Sequence, residues 1–245
     1  MSDLTWQAAP ETAVLEHNEV HLWRVWLTQA AAADRLWPLL AADEAARARA
    51  FVFARHRQAF VTARGMLRLI LSRYVGEPAA ELRFDYGARG KPRLHEDQGV
   101  QFNLSHSGEM ALVAVTRLGA VGVDVEQVRP LDDMMGIAGQ FFAPGERARL
   151  AEMPSPHRQR AFFDCWTRKE AYIKGIGLGL SRPLDQFEVA FAPGEPARLL
   201  SVAPDPDDVA RWSLYGFNPA SGYAAALAVQ GHGWRLLTYE SRLSL

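Results

Sequence analysis

The stretch MALVAVTRLGAVGVDVE, residues 110–126, decides the centre of the fold. Residues 110–116 are almost entirely apolar and predict a buried strand. After a short turn, residues 121–126 alternate apolar side chains with glycine and carboxylates, which predicts a second strand. Because side chains alternate across a strand, Asp124 and Glu126 are expected to point to the same face.

Outward from this stretch, each half of the chain offers helices followed by short strands. One long helix is predicted over residues 55–74, and another starts at Ser155 and ends at the glycines from Gly175. The order predicts an α+β protein of two lobes, residues 1–119 and 120–245, each a small antiparallel sheet with packed helices. The segment 192–208 is rich in Pro, Asp and Ala and is predicted to be an exposed loop that tolerates partial deletion.

The composition excludes several functional classes. The 245 residues carry a formal net charge of -1 and one cysteine. The sequence has no excess of basic residues, so a nucleic-acid partner is not indicated. A single cysteine forms neither an internal disulfide nor a zinc-binding pattern. Apolar runs are too short for a membrane span, and no secretory signal is seen, so we expect a soluble cytoplasmic protein.

The two carboxylates of the second strand suggest a metal site. Asp124 and Glu126 repel each other on one face unless a cation lies between them. Magnesium prefers such hard oxygen ligands and shares them with water and substrate phosphates. An exposed strand face is the plain alternative, but a strand beside a buried one is expected to lie centrally.

The sequence WTRKEAYIK, residues 166–174, supplies a third carboxylate. On a helix, Trp166, Glu170 and Lys174 are spaced by four and share one face. The simplest interpretation is a surface ion pair between Glu170 and Lys174. The alternative is that Glu170 joins the metal site and Lys174 contacts a phosphate.

Two loops offer further phosphate contacts. In Gly90-Lys91-Pro92 the lysine is a candidate point charge, although an ordinary turn explains it too. A Walker A loop is excluded, because its first glycine and its magnesium-binding hydroxyl residue are replaced by Asp85 and Pro92. In FNLSHSG, residues 102–108, a short strand ends in serines and a histidine that could bond a phosphate. No nucleophile elbow surrounds these serines.

Taken in order, these motifs resemble the Sfp-type 4'-phosphopantetheinyl transferases. Each motif alone is weak, but five in this order at plausible spacing are specific, and they span residues 47–184. The matching stretches are Gly90-Lys91-Pro92, Phe102-Asn103-Leu104-Ser105-His106-Ser107, Gly122-Val123-Asp124-Val125-Glu126, Phe141-Phe142, and residues 166–174 with Gly179-Leu180-Ser181. Residues 51–55 also resemble the N-terminal half of the family.

The resemblance implies a pseudo-dimeric two-lobed fold that binds coenzyme A between its lobes. It implies magnesium held by Asp124, Glu126 and Glu170. It further implies coenzyme A contacts from Arg47, Arg89, Gly90, Lys91, Pro92, Asn103, Ser105, His106, Asp124, Glu170 and Lys174. One position departs from the family, because Glu44 stands where some members carry a second basic residue for the 3'-phosphate. Arg89 and Arg64 are the candidates to replace it.

The implied reaction is attack of a carrier-protein serine on the β-phosphorus of coenzyme A, with release of 3',5'-ADP. Asp124, Glu170 and Lys174 are the expected catalytic residues, and Glu170, directly or through a water, is the candidate base. An acyl or peptidyl carrier protein is the expected partner, and residues 129–142 are either its docking region or a helix packed on the core. We expect a monomer. A non-catalytic coenzyme A-binding module and another magnesium-dependent phosphotransferase are the alternatives.

Overall fold

The computed structural model describes residues 4–28, 30–96, 98–179, 182–203 and 205–241. The helices are α1 Ala30–Leu36, α2 Ala42–Arg49, α3 Ala54–Val75, α4 Met134–Phe141, α5 Pro144–Glu152, α6 Ser155–Ile176 and α7 Asp208–Arg211. The strands are β1 Gln7–Ala8, β2 Glu19–Trp26, β3 Phe84–Tyr86, β4 Pro92–Leu94, β5 Gln101–Ser107, β6 Met110–Thr116, β7 Val121–Gln127, β8 Phe187–Val189, β9 Leu199–Val202, β10 Trp212–Phe217, β11 Tyr223–Gln230 and β12 Arg235–Ser241. The predicted α+β class is confirmed.

Two sheets form the framework of the molecule. The first has the strand order β1-β12-β2-β6-β5, and the second has the order β10-β11-β7. Strand β12 pairs in parallel with both β1 and β2, so the first sheet also contains parallel pairings besides the expected antiparallel ones. Two small hairpins, β3–β4 and β8–β9, complete the described strands.

Each sheet carries one long helix, and the two helices end in the same way. Helices α3 and α6 each have 22 residues. Each ends at a glycine with a left-handed backbone, Gly76 (φ 75°) and Gly177 (φ 73°). Glycine is favoured there because a side chain is strained at positive φ. This shared pattern of sheet, long helix and glycine cap is consistent with a two-lobed, pseudo-dimeric architecture.

The two sheets pack against each other at a shared apolar core. Val121, Val123 and Val125 are fully buried there together with residues of β2, β6 and β11. The predicted alternation along β7 is therefore real, with the valines facing the other sheet. Gly122 and Asp124 face α6, where a Cβ on Gly122 would lie 1.9 Å from the Ala171 carbonyl oxygen.

The segment predicted to be a deletable loop, residues 192–208, is partly structured. It contains β9, whose Leu199 and Val202 are buried in the core of the second lobe. The exposed-loop prediction is wrong for residues 199–202, because this strand has only four residues and the surrounding prolines and aspartates dominate the pattern. Deleting the whole segment would expose this part of the core.

The proposed division into residues 1–119 and 120–245 stays a prediction. By pairing, residues 235–241 lie in the first sheet, between β1 and β2.

Within the described ranges, we find no helix with the length and apolar character that a bilayer crossing requires.

Candidate functional site

The carboxylates of β7 lie where the two lobes meet, between β5 and α6, and this junction is called the cleft below. Asp124 is 2% exposed, and its Oδ1 accepts hydrogen bonds from Ser105 Oγ (2.9 Å) and Lys174 Nζ (2.5 Å). Its Oδ2 is buried and has no hydrogen-bond partner. A buried carboxylate oxygen without a partner is costly, so this atom points to a missing ligand.

Helix α6 presents its candidate residues to the same cleft. Lys174 donates to Ser105 Oγ (2.8 Å) besides Asp124, so its described ion-pair partner is Asp124 rather than Glu170. The simple interpretation of a surface pair between Glu170 and Lys174 is therefore wrong. Trp166, on the same face one turn earlier, stacks on Phe162 and belongs to the apolar core.

The three acidic side chains act on one another electrostatically. Burial raises the pKa of Asp124, while the neighbouring Lys174 opposes that rise. Burial raises the pKa of Glu126, and the charge of Asp124 adds to it. Burial also raises the pKa of Glu170, with further contributions from the charges of Asp124 and Glu126. Such mutual repulsion inside a cleft favours a bound cation.

The side chains do not form a finished metal centre as they stand. Among the described residues, no group of three or more His, Cys, Asp or Glu side chains has the arrangement of one. The donor set nevertheless fits magnesium, because it offers hard carboxylate oxygens and one of them, Asp124 Oδ2, is buried without a partner. Convergence of all three carboxylates on one ion stays a prediction.

Strand β5 runs beside β7 and touches it through alternate side chains. Asn103 Oδ1 accepts a hydrogen bond from the Val123 amide (2.8 Å). Ser107 Oγ donates to Glu126 Oε2 (2.6 Å) and accepts from the Gln127 amide (3.1 Å). The hydroxyls of Ser105 and Ser107 thus donate hydrogen bonds to the two carboxylates of β7, Asp124 and Glu126.

Lys91 lies in the turn between β3 and β4, and it reaches the second lobe. Its Nζ donates to the carbonyl oxygens of Val121 (2.9 Å) and Gly175 (2.9 Å). Burial lowers the pKa of Lys91 to about 8. Two of its three N–H donors are thus used by the backbone, and one remains for a phosphate.

Basic side chains gather on one side of the cleft. Burial lowers the pKa of His106, and the positive charges of Lys174 and Arg47 lower it further. Arg47 and Lys174 thus both contribute positive charge at His106. Arg89 packs against Gly179, at the end of the loop that follows α6. Leu180 and Ser181 of the predicted motif lie outside the described residues.

The departure at Glu44 has a structural explanation that sequence patterns did not reveal. Glu44 is buried, and its carboxylate accepts hydrogen bonds from Arg64 and from Arg68 Nε (2.7 Å). Arg64 also donates to the Tyr86 hydroxyl (2.8 Å). Arg64 is thus engaged inside the first lobe, which leaves Arg89 as the candidate replacement for the absent basic residue.

A second buried pair in the WTRKEAYIK segment was also missed. Lys169 Nζ donates to Glu146 Oε2 (2.6 Å) and to the Phe187 carbonyl (2.5 Å), and both charged side chains are fully buried. Glu146 also accepts from the backbone amides of Ala143 (2.9 Å) and Val189 (2.7 Å). Adjacent residues Lys169 and Glu170 therefore face opposite environments, the core and the cleft.

Comparison with known proteins identifies relatives along almost the whole chain. Residues 120–228 match the family model of the 4'-phosphopantetheinyl transferase superfamily, and residues 24–117 match that of the 4'-phosphopantetheinyl transferase N-terminal region. The chain is 41% identical over 235 residues to the 4'-phosphopantetheinyl transferase HetI of Nostoc sp., covering 94% of this chain and 96% of the relative. It is 29% identical to the 4'-phosphopantetheinyl transferase psf-1 of Bacillus pumilus, covering 86% of this chain and 89% of the relative.

Proposed function

The chain belongs to the 4'-phosphopantetheinyl transferase superfamily, and we propose that it transfers the 4'-phosphopantetheine arm to a serine of an apo acyl or peptidyl carrier protein. As a transferase of this family, it takes the arm from coenzyme A and releases 3',5'-ADP. The observation that carries the proposal is Asp124, which is ion-paired to Lys174 through one oxygen and buried without a partner at the other.

Asp124, Glu126 and Glu170 would hold a magnesium ion. Their oxygens are hard ligands, and the raised pKa values of all three carboxyls reflect burial and crowding that a cation relieves. When bound there, the ion supplies positive charge to the diphosphate and to the oxygens that gain charge during transfer.

Lys174 and Glu170 supply the remaining chemistry. Lys174 lies at the carboxylates with part of its side chain exposed, so its ammonium can bind a phosphate oxygen and stabilise the developing charge. Glu170 accepts the proton of the carrier serine as the serine oxygen bonds to the β-phosphorus and the bond to 3',5'-ADP breaks. Glu170 is a partly exposed carboxylate beside Asp124 and Lys174, which places it to accept this proton.

Coenzyme A would lie along the basic side of the cleft. Arg47 and His106 are the proposed contacts for the 3'-phosphate, with Arg89 beside them. The turn at Gly90-Lys91-Pro92 would contact the nucleotide through its backbone and through the remaining donor of Lys91. Asn103 and Ser105 complete the proposed set. Support comes from the shared electrostatic effect of Arg47 and Lys174 on His106.

The carrier protein would dock on the segment that follows β7. Arg129 is exposed there, and its charge acts on Glu126, so it lies close to the acidic cluster. Helix α4 presents Met135, an exposed adaptable side chain, while Ala138 packs into the core. Arg129→Glu should raise the KM for an acidic carrier and leave the KM for coenzyme A within about twofold. An unchanged KM for the carrier would remove this docking site.

Mass spectrometry of the carrier tests the function directly. The protein is mixed with coenzyme A, magnesium and an apo carrier domain, and a gain of one phosphopantetheine group is expected. Glu170→Gln should abolish the gain without unfolding the protein. An absence of any gain with carriers from fatty-acid, polyketide and peptide synthesis would contradict transferase activity. Turnover of coenzyme A without a carrier would indicate a different phosphotransferase.

We further propose that the protein acts as a monomer in the cytoplasm. The two lobes already place every proposed site residue within one chain, so no partner copy is required. Light scattering coupled to gel filtration should give a mass near the 27.2 kDa of one chain. A stable dimer would contradict the monomer.

A further inference from the structure

Two edge strands meet where the lobes join. Strand β5 is the edge of the first sheet and β7 is an edge of the second, and they run beside each other. Among the described residues, no backbone hydrogen bond joins these two strands. An unpaired edge normally leaves a row of N–H and C=O groups that need other partners.

Side chains of the first lobe provide those partners along the edge of β7. They are spaced along the strand: Lys91 bonds to the Val121 carbonyl (2.9 Å), Asn103 to the Val123 amide (2.8 Å), and Ser107 to the Gln127 amide (3.1 Å). Residues 121, 123 and 127 are separated by even numbers, so these groups all lie on the edge away from β11. The two lobes are therefore joined at this edge by hydrogen bonds from side chains to the backbone, rather than by a ladder of backbone hydrogen bonds. These three contacts are called the lacing below.

Lys91 extends the lacing to the helix. Its second acceptor, the Gly175 carbonyl, lies in the last turn of α6, where carbonyl groups have no partner inside the helix. A lysine is favoured at that helix end by the helix dipole. One ammonium group thus links the turn of the first lobe, the start of β7 and the end of α6.

The contact between β7 and α6 transmits any shift to the site. Gly122 and Gly175 bring the two backbones so close that a Cβ on Gly122 would lie 2.4 Å from the Gly175 nitrogen. No side chain lies between them to absorb a displacement. A displacement at the edge of β7 or at the end of α6 therefore reaches Asp124 and Lys174 without being absorbed by an intervening side chain.

We propose that Lys91 and Asn103 are positioning residues for the transfer reaction. They hold the edge of β7 and the end of α6 at the spacing that sets Asp124 opposite Lys174. The inference rests on the proposed function and gives these residues a second role, since the family resemblance assigns both of them to coenzyme A.

Kinetics separate the two roles. Lys91→Met and Asn103→Leu should each lower kcat by about tenfold to a hundredfold, because small misplacements of reacting groups are costly. Because both residues are also proposed contacts, the KM for coenzyme A should rise, but by a smaller factor than kcat falls, and Lys91→Arg, which keeps donors for the carbonyls, should recover part of kcat. A raised KM with an unchanged kcat in both variants would make them ligand contacts only and overturn the proposal.

Amide hydrogen exchange tests the lacing without substrate or metal. In the wild-type protein, the Val123 amide should exchange as slowly as amides paired to β11, although no strand covers it. Asn103→Leu and Lys91→Met should speed exchange in residues 121–127, whereas Asn18→Leu, at an exposed turn, should not. Fast exchange of the wild-type Val123 amide would overturn the proposal even if the variants fail to fold. Inactivity of the wild-type protein would contradict the transferase proposal, but it would not change the result of the exchange measurement.

Discussion

Helix α6 carries two lysine–carboxylate pairs five residues apart, and they differ in how fully their atoms are satisfied. Lys169 and Glu146 are fully buried, and the pair is completed by the Phe187 carbonyl and two backbone amides. Lys174 and Asp124 also form a pair, but Lys174 is about a third exposed and Asp124 Oδ2 has no partner. A completed pair fixes a core, whereas an incomplete one leaves capacity for a ligand.

The largest expected effect comes from substituting Asp124, the carboxylate that has one oxygen without a hydrogen-bond partner. Asp124→Asn should lower the transfer rate by about 10³-fold, because the site loses a carboxylate that is proposed to hold the magnesium ion and that pairs with Lys174. The melting temperature should change by less than about 2 °C, since a buried charge is removed rather than created. Carrier mass gain over time and calorimetry measure the two quantities. A loss of activity that parallels a loss of stability would make Asp124 a structural residue like Glu146.

The completed pair should show the opposite pattern. Glu146→Ala leaves Lys169 charged, buried and unpaired, and should cost about 3–5 kcal/mol of unfolding free energy. Urea denaturation measures this cost. The control is Glu152→Ala, at the exposed end of α5, the helix that also carries Glu146, and it should cost less than about 0.5 kcal/mol. Equal stabilities of the two variants would remove the contrast between the pairs.

The lysine of the incomplete pair gives a smaller effect. Lys174→Met should lower kcat/KM for coenzyme A by about 10²-fold, because one phosphate contact and its charge are lost. Lys174→Arg should retain more activity, since the charge is kept. Steady-state kinetics on a defined carrier decide the order. If Lys174→Met were as active as the wild type, the ion pair between Lys174 and Asp124 would have no role in the reaction.

The buried pair of His21 and Glu19, in the first lobe, extends the comparison to pH. His21 bonds to Glu19 (3.0 Å) and to the Tyr74 hydroxyl (2.9 Å), with Arg235 and Tyr239 of β12 close by. Burial lowers the pKa of His21, so the unfolded chain binds this proton more readily than the folded one. The contribution to stability is therefore full above the ordinary histidine pKa and is lost as pH falls below it.

The expected slope from this histidine is at most about 1.4 kcal/mol per pH unit. Urea denaturation of the wild type and of His21→Gln between pH 7 and pH 5 measures it. The variant should lose less stability over that interval than the wild type. Parallel curves would show that His21 does not titrate differently in the two states.

Sequence periodicity predicted much of the site. The strand period put Asp124 and Glu126 on one face, and the helical period put Glu170 and Lys174 on another. It did not predict that Lys91 reaches the backbone of the second lobe, because a turn residue has no period that states its distant contacts. It also missed the ion pairs of Glu44 with Arg64 and Arg68, which depend on two helices meeting.

The return of β12 to the first sheet has a consequence for synthesis on the ribosome. Residues 235–241 pair with residues 19–25, so the first sheet cannot close until residues 235–241 have emerged. Until then β2 lacks its parallel neighbour, and a nascent first lobe exposes an unsatisfied strand edge. The first lobe therefore cannot mature before the second lobe has been synthesised, and the slow step of folding is expected to be this long-range closure.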